Sequence, residues 1–388
     1  MLNLSLTDML TRLIAHPTVS STSVKWDMSN RPVIDELADW FEELGFKTRI
    51  LPLKHQPQKA NLIAVLGEPS QSGGLVLSGH TDTVPYDDRR WDSDPFTLSE
   101  RDGRFYGLGT ADMKGFFALA IEAIRPMLQQ GILGTSQKAP LIILATADEE
   151  SSMDGARELV AGDLAGARHA IIGEPTGLKP IHAHKGIMME SVKIVGRSGH
   201  SSNPALGNNA LEAMHEVIGE LLGLRAKLQD KYRHSGFKVP TPTMNLGCIH
   251  GGDNPNRICG QCELHFDFRM IPGMELEFIK HQLSDSLSPI AERRQIDISL
   301  HSLMPGLPAF EQARDSELIK TVESLSSYPA ETVGFATEAP FLQQLGLQTV
   351  VLGPGHIDQA HQPNEYLGTD QIAPTVALLQ NLIRHYCC

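Results

Sequence analysis

The sequence is short of positive charge: 33 Lys and Arg face 46 Asp and Glu across 388 residues, a formal net charge of −13. It has no basic block and no aromatic residues interleaved with Arg or Lys. A phosphate-backbone partner and an anionic membrane surface are therefore not expected. Apolar runs are also short. One of the longest, 140–147, falls far below the roughly 20 residues that a membrane-spanning helix needs. The N-terminal stretch lacks a basic lead-in, and Asp8 and Arg12 interrupt its apolar positions, so it reads as an amphipathic helix rather than a signal peptide. Cysteines number five, and an odd count suits a reduced compartment better than a disulfide framework. A cytoplasmic protein is expected. Internal repeats and low-complexity segments are absent as well.

The length suits two domains, and the apolar pattern changes character along the chain. In the outer parts, short continuous runs occur at 75–80, 140–147, 169–172 and 349–352. Runs apolar throughout suit strands covered on both faces, as in a mostly parallel α/β sheet with helices on either side. Helical spacing links Ile34, Leu37, Phe41 and Leu44, with Gly45 placed to stop the helix, and links Ile372, Val376, Leu379 and Leu382 near the end. The middle alternates instead. Leu264, Phe266 and Phe268 oppose Glu263, His265, Asp267 and Arg269, and Ile296, Ile298 and Leu300 oppose Asp297 and Ser299, which describes half-buried antiparallel strands. Helical patterns run through Leu211, Met214, Ile218 and Leu221 and through Ile279, Leu283 and Leu287. The order β-α-β-β-α-β predicts a two-layer ferredoxin-like α+β domain over 183–304, inserted between the two parts, 1–182 and 305–388, of one α/β domain.

In open α/β sheets, ligands gather beyond the carboxyl ends of the strands. Here those ends carry His80, the run Asp148-Glu149-Glu150, Glu174, and a GPG segment leading to His361, while Asp112 sits in the loop GLGTAD before a helical pattern. Two imidazoles and several carboxylates on one rim, with no cysteine, form the ligand set of a two-metal hydrolytic site for Zn²⁺ or a similar divalent ion. A bridging carboxylate plus one His and one carboxylate per metal is filled by Asp112, His80, Glu174, Glu150 and His361. Two residues are left over. Asp82 can accept the second ring N–H of His80, or it can simply form the turn before Pro85. Glu149 can move protons between a water and a leaving group, or it can belong to a charged helix N-terminus.

With these residues assembled, the chain resembles the aminoacylase/carboxypeptidase/deacetylase family of co-catalytic metal amidohydrolases. The motifs GHTDTVP (79–85), GLGTADMKGFFA (107–118), ATADEE (145–150), GEPT (173–176), HKG (184–186), GHSS (199–202), NRIC (256–259), TEAPF (337–341), LGPG (352–355) and AHQPNEY (360–366) follow the family's order over nearly the whole chain. The resemblance implies two zinc ions per chain, with cobalt a working substitute, and a homodimer formed through the inserted domain. It implies an N-acyl amino acid as the small-molecule substrate. It implies His80 and Glu174 on one metal, Glu150 and His361 on the other, Asp112 between them, and Asp82 and Glu149 as catalytic residues. His200 matches a His that reaches across the dimer, Asn256 and Arg269 match groups that hold a substrate carboxylate, and Arg257 and Lys185 are further candidates. The peptide from Asp112 to Met113 is expected to be cis. For Arg269, a solvated place on the polar face of its strand is the competing reading.

Other chemistries fit less well. GLGTAD has Asp112 where a dinucleotide fingerprint needs its third Gly and follows no clear strand, so a nicotinamide-dependent oxidoreductase is disfavoured. The Cys259/Cys262 pair has no second pair to complete a structural zinc site. A non-catalytic binding protein would leave the full ligand set and Glu149 without a purpose.

Overall fold

The structure, a computed structural model, describes residues 2–69 and 73–388. The chain forms two compact units, one from Met1–His182, Gln312–Glu331 and Thr337–Cys388, the other from Ala183–Glu311 and Thr332–Ala336. The second unit thus extends past the expected 304. The reason is backbone pairing: Leu303 N–H donates to Met189 O at 2.8 Å, and Leu307 and Ile187 exchange bonds of 2.8 and 2.9 Å, tying this stretch to the second unit.

In the first unit, Leu141–Thr146, Leu75–His80, His169–Ile172 and Gln348–Val351 lie side by side in that order, all parallel. Antiparallel strands flank these four. Ala60–Leu66 and then Lys47–Pro52 extend one side antiparallel, and Ile181–His184 joins the other side antiparallel. Every residue of Leu75–His80 and Leu141–Thr146 is buried, which accounts for their continuous apolar runs. The helix Lys114–Gln129 shares one core with Leu6–Ala15, Arg31–Glu43 and Ile372–Cys387. Local signals set the helix ends. Ser5 Oγ accepts from Asp8 N–H at 3.1 Å while the Asp8 carboxylate accepts from Ser5 N–H at 3.1 Å, a capping box. Gly45, at φ +90°, follows the end of Arg31–Glu43. A short strand, Arg104–Tyr106, does precede GLGTAD, contrary to the sequence reading, but it lies in a separate three-stranded antiparallel sheet and not in a βαβ unit.

The second unit runs strand Gly186–Val195, helix Ala210–Lys231, strands Thr243–Gly251 and Gln261–Met270, helix Leu276–Arg294 and strand Asp297–Ser302. Its four strands form one antiparallel sheet, with Thr243–Gly251 and Asp297–Ser302 at the edges. Leu264, Phe266 and Phe268 share a core with Ile279, Leu283 and Leu287. The first helix is rotated from the expected phase. Asn209 caps it by accepting from Leu211 and Glu212 N–H, and Ala210, Met214, Val217 and Leu221 pack into the core while Leu211 is 49% exposed.

Candidate metal centre

Glycines at two strand ends allow the site to form. A Cβ on Gly79 would stand 2.7 Å from Met113 Cε, and one on Gly173 would stand 2.3 Å from the Phe116 ring. Either clash would push away the start of Lys114–Gln129. With glycine at both positions, this helix approaches the ends that carry His80 and Glu174, and Asp112 at its threshold comes between the ligands. The Asp112–Met113 peptide is cis.

Asp112 faces both imidazoles. Its Oδ1 lies 2.9 Å from His80 Nε2, and its Oδ2 lies 3.6 Å from His361 Nε2. Glu150 Oε2 lies 3.0 Å from His361 Nε2, and Glu174 Oε1 lies 3.9 Å from His80 Nε2. His361 itself has φ +59°, a left-handed backbone uncommon for a non-glycine residue. Asp82 takes a different position from the one its spacing suggested. The His80 Nδ1 contact at 2.9 Å is to the Asp82 backbone carbonyl, with the carboxylate 3.7 Å away. That carboxylate instead accepts from Glu149 and Glu150 N–H, at 3.2 and 3.0 Å, and so fixes the turn bearing both glutamates.

The charges strain against one another. Burial, then the charge of Glu174, pushes the Glu149 carboxyl well above the usual range, and burial, then Asp112, does the same to Glu174. Burial opposes a charged His80, but the Asp112 hydrogen bond and the charges of Glu174, Asp112 and Asp82 outweigh it and raise its pKa well above the ordinary value. His361 is lifted to about 9, chiefly by Glu150. Such a set is short of positive charge, which divalent cations supply.

The donor set fits such ions. Ligand atoms of His80, Glu149 and Glu174 lie within 4.8 Å of one another, as do those of His80, Asp112 and Glu150. Glu174 Oε1 is buried and has no hydrogen-bond partner among the described residues, an arrangement that costs free energy unless something binds there. Imidazole and carboxylate donors without thiolate suit zinc or a similar ion.

Some supporting residues escaped the sequence reading. Lys59, buried, pairs with Asp148 and with Asp27 at 2.6 Å, and Ser20 Oγ donates to Asp148 Oδ1 at 2.8 Å, which anchors the residue before Glu149. Glu338 is buried with its Oε2 accepting from Thr146 Oγ1 at 2.9 Å, and burial lifts it to about 7. Glu365 is buried against the Asp112 loop, and burial, then Asp112, lifts it to about 8. TEAPF and AHQPNEY contained both glutamates, but nothing in either pattern separates a buried carboxyl from a solvated one.

The second unit holds the other candidates, in two places. His200 pairs with Arg257 through the backbone, Ser201 N–H donates to Asn256 O at 3.0 Å, and the exposed His200 ring contacts Ser202 Oγ at 2.8 Å through Nδ1. Arg269 is near the opposite end of the Gln261–Met270 strand, paired with Asp267 at 3.0 Å, and its charge acts on Lys185. Gln261 and Arg269 are eight positions apart on the strand, about 26 Å at ~3.3 Å per residue.

Residues 76–385 match peptidase family M20/M25/M40. The chain belongs to this family. It is 50% identical over 383 residues, 99% of this chain and 98% of the other, to a protein from Pasteurella multocida (strain Pm70) named acetylornithine deacetylase. It also shares its fold with an M20 family metallo-carboxypeptidase from Sulfolobus solfataricus, at TM-score 0.74 and 17% identity, over 99% of both chains. A dinuclear metal-binding M20 peptidase from Bacillus subtilis has the same fold at TM-score 0.67 and 16% identity, over 98% of both chains. This M20/M25/M40 member is a metal-dependent amidohydrolase.

Proposed function

We propose that the protein hydrolyses the N-acetyl amide of N2-acetyl-L-ornithine, giving L-ornithine and acetate, a step of arginine biosynthesis, as a cytoplasmic homodimer with two zinc ions per chain that cobalt can replace. The observation that carries the substrate is the 50% identity, over 99% of the chain, to the protein named for that reaction. The observation that carries the chemistry is Asp112, with one oxygen toward each imidazole. His80 and Glu174 would hold one ion, Glu150 and His361 the other, and Asp112 both. Such ions supply Lewis acidity, which polarises the acyl oxygen and makes an attacking water more acidic.

The side chains then divide the remaining tasks. Glu149, set beside the ligands by the Asp82 carboxylate, takes a proton from the water as its oxygen bonds to the amide carbon. The same carboxyl returns that proton to the departing amine nitrogen as the C–N bond breaks, and the water's second proton is released as the new carboxyl ionises, so acetate and the amine result. Burial and the charge of Glu174 raise its proton affinity, and bound divalent cations would act in the opposite sense. His200 of a second subunit donates toward the developing oxyanion. Arg269 would hold the substrate carboxylate, with Asn256, Arg257 and Lys185 as further candidates for substrate contact.

Two measurements test this. Rates on acetylornithine, succinyl-diaminopimelate, acetylcitrulline and a dipeptide, compared side by side, should favour acetylornithine, and a higher kcat/KM on any of the others would reassign the substrate. Mixing inactive His200→Ala subunits with inactive Glu149→Ala subunits should restore part of the activity. No restoration would place His200 outside the partner's site.

A further inference from the structure

The loop 107–112 has no regular secondary structure, so each of its N–H groups must find a partner elsewhere. Leu108 N–H donates to Pro95 O at 2.8 Å and Thr110 N–H turns back to Gly107 O at 3.1 Å. The remaining four go to one residue. Gly107 N–H donates to the backbone carbonyl of Glu365 at 3.1 Å. Gly109 N–H donates to both Glu365 carboxylate oxygens at 3.1 Å, and Ala111 and Asp112 N–H donate to its Oε1 at 2.8 and 3.0 Å. Glu365 is 1% exposed, and a carboxylate so deeply buried is costly unless donors converge on it. On the other side, buried Lys114 donates from Nζ to Leu13 O and His16 O, both at 2.9 Å, and its Cε is 2.5 Å from the place where a Gly109 Cβ would stand. The loop is held between the buried Lys114 amine and the buried Glu365 carboxyl.

Glu365 also lies four positions after His361. We propose that Glu365 is a positioning residue: by fastening the loop that carries Asp112 to the segment that carries His361, it fixes the bridging carboxylate relative to the second imidazole. This rests on the reading of both residues as metal ligands. The Glu365 carboxyl accepts from Gly109, Ala111 and Asp112 on Oε1 and from Gly109 on Oε2 as well, whereas a glutamine at 365 that kept its carbonyl on Ala111 and Asp112 would turn its NH₂ toward Gly109 N–H and loosen the loop there. Partners that orient ligands in this way typically govern metal affinity by about 10–100-fold.

The test is a Co²⁺ titration of the stripped wild type, Glu365→Gln and Glu365→Asp, with amide hydrogen exchange at residues 109, 111 and 112 of the stripped proteins. The Gln variant should bind Co²⁺ about tenfold or more weaker and exchange the Gly109 amide faster, with the Asp variant, one methylene shorter, in between. Wild-type affinity in Glu365→Gln, even with a lowered Tm, overturns the proposal, because a merely structural carboxyl would change stability alone. If Glu365→Gln does not fold, wild-type affinity in Glu365→Asp overturns it. A wild type that saturates below two ions refutes the two-metal reading instead, and unchanged amide exchange in the variants then refutes the positioning role separately.

Discussion

Replacing Glu149 with alanine is expected to leave two metal ions on each chain and to lower kcat on acetylornithine by about 10²–10⁴-fold, the usual contribution of a placed general acid and base. The expectation follows from the division of labour within one turn. Glu149 and Glu150 are adjacent, and the Asp82 carboxylate accepts from both of their amides, yet Glu150 lies 3.0 Å from His361 while Glu149 groups with His80 and Glu174. Truncating Glu149 leaves both imidazoles, Asp112, Glu150 and Glu174 in place, so binding of the ions should survive while proton transfer does not. KM should change little, because the carboxyl acts on protons in flight and not on the bound substrate. Metal analysis beside steady-state kinetics checks this. Retained turnover would remove Glu149 as the base, and loss of one ion would make it a ligand.

Chelation is expected to lower Tm, and to lower it more as pH rises. Ions bound to the folded state alone at about a thousand times their Kd contribute about 4 kcal/mol per site, which the stripped protein loses. The pH dependence follows from groups whose folded pKa is raised. Glu338 moves from 4.5 to about 7 and Glu365 from 4.5 to about 8, both chiefly through burial. The folded state therefore binds more protons than the unfolded state between about pH 4.5 and 8, so stability declines across that window as pH increases. His361 adds to the trend from 6.5 to about 9, since its stabilising pairing with Glu150 is lost as it deprotonates, though its exposure weakens the effect. Scanning calorimetry of chelated and loaded protein at pH 5.5, 7 and 8.5 reads the slopes. The loaded protein should be flatter, because ions replace protons among the carboxylates, and a chelated protein whose Tm rose with pH would contradict these assignments.

The sequence made the rim of the sheet legible for a simple reason. A strand buried on both faces must be apolar, so the first polar residue after the run marks where the chain leaves the core, and His80 and Glu174 stand out against such runs. Alternation in 261–270 marked the antiparallel insert by the same logic in reverse. Helix phase was harder to read: Leu211 looked like a core residue but is exposed in the turn that Asn209 caps. Hidden altogether were groups whose partners are backbone atoms far along the chain. No pattern announces that Glu365 answers amides at 109, 111 and 112, or that the oxygens of Asp82 turn to the amides of 149 and 150 rather than to His80. Spacing displays the chemical type of a side chain, whereas a hydrogen bond across 256 residues exists only once the sheet has brought its ends together.

That separation has a consequence for synthesis. His361 meets Glu150 across 211 residues, and Glu365 reaches back to the Asp112 loop from even farther. A nascent chain that has emerged only through Glu174 already displays one imidazole and most of the carboxylates, but neither the second imidazole nor the residue that fastens Asp112. On the ribosome it is an incomplete chelator. The ligand set is therefore complete only once His361 has been made and has folded back onto Glu150.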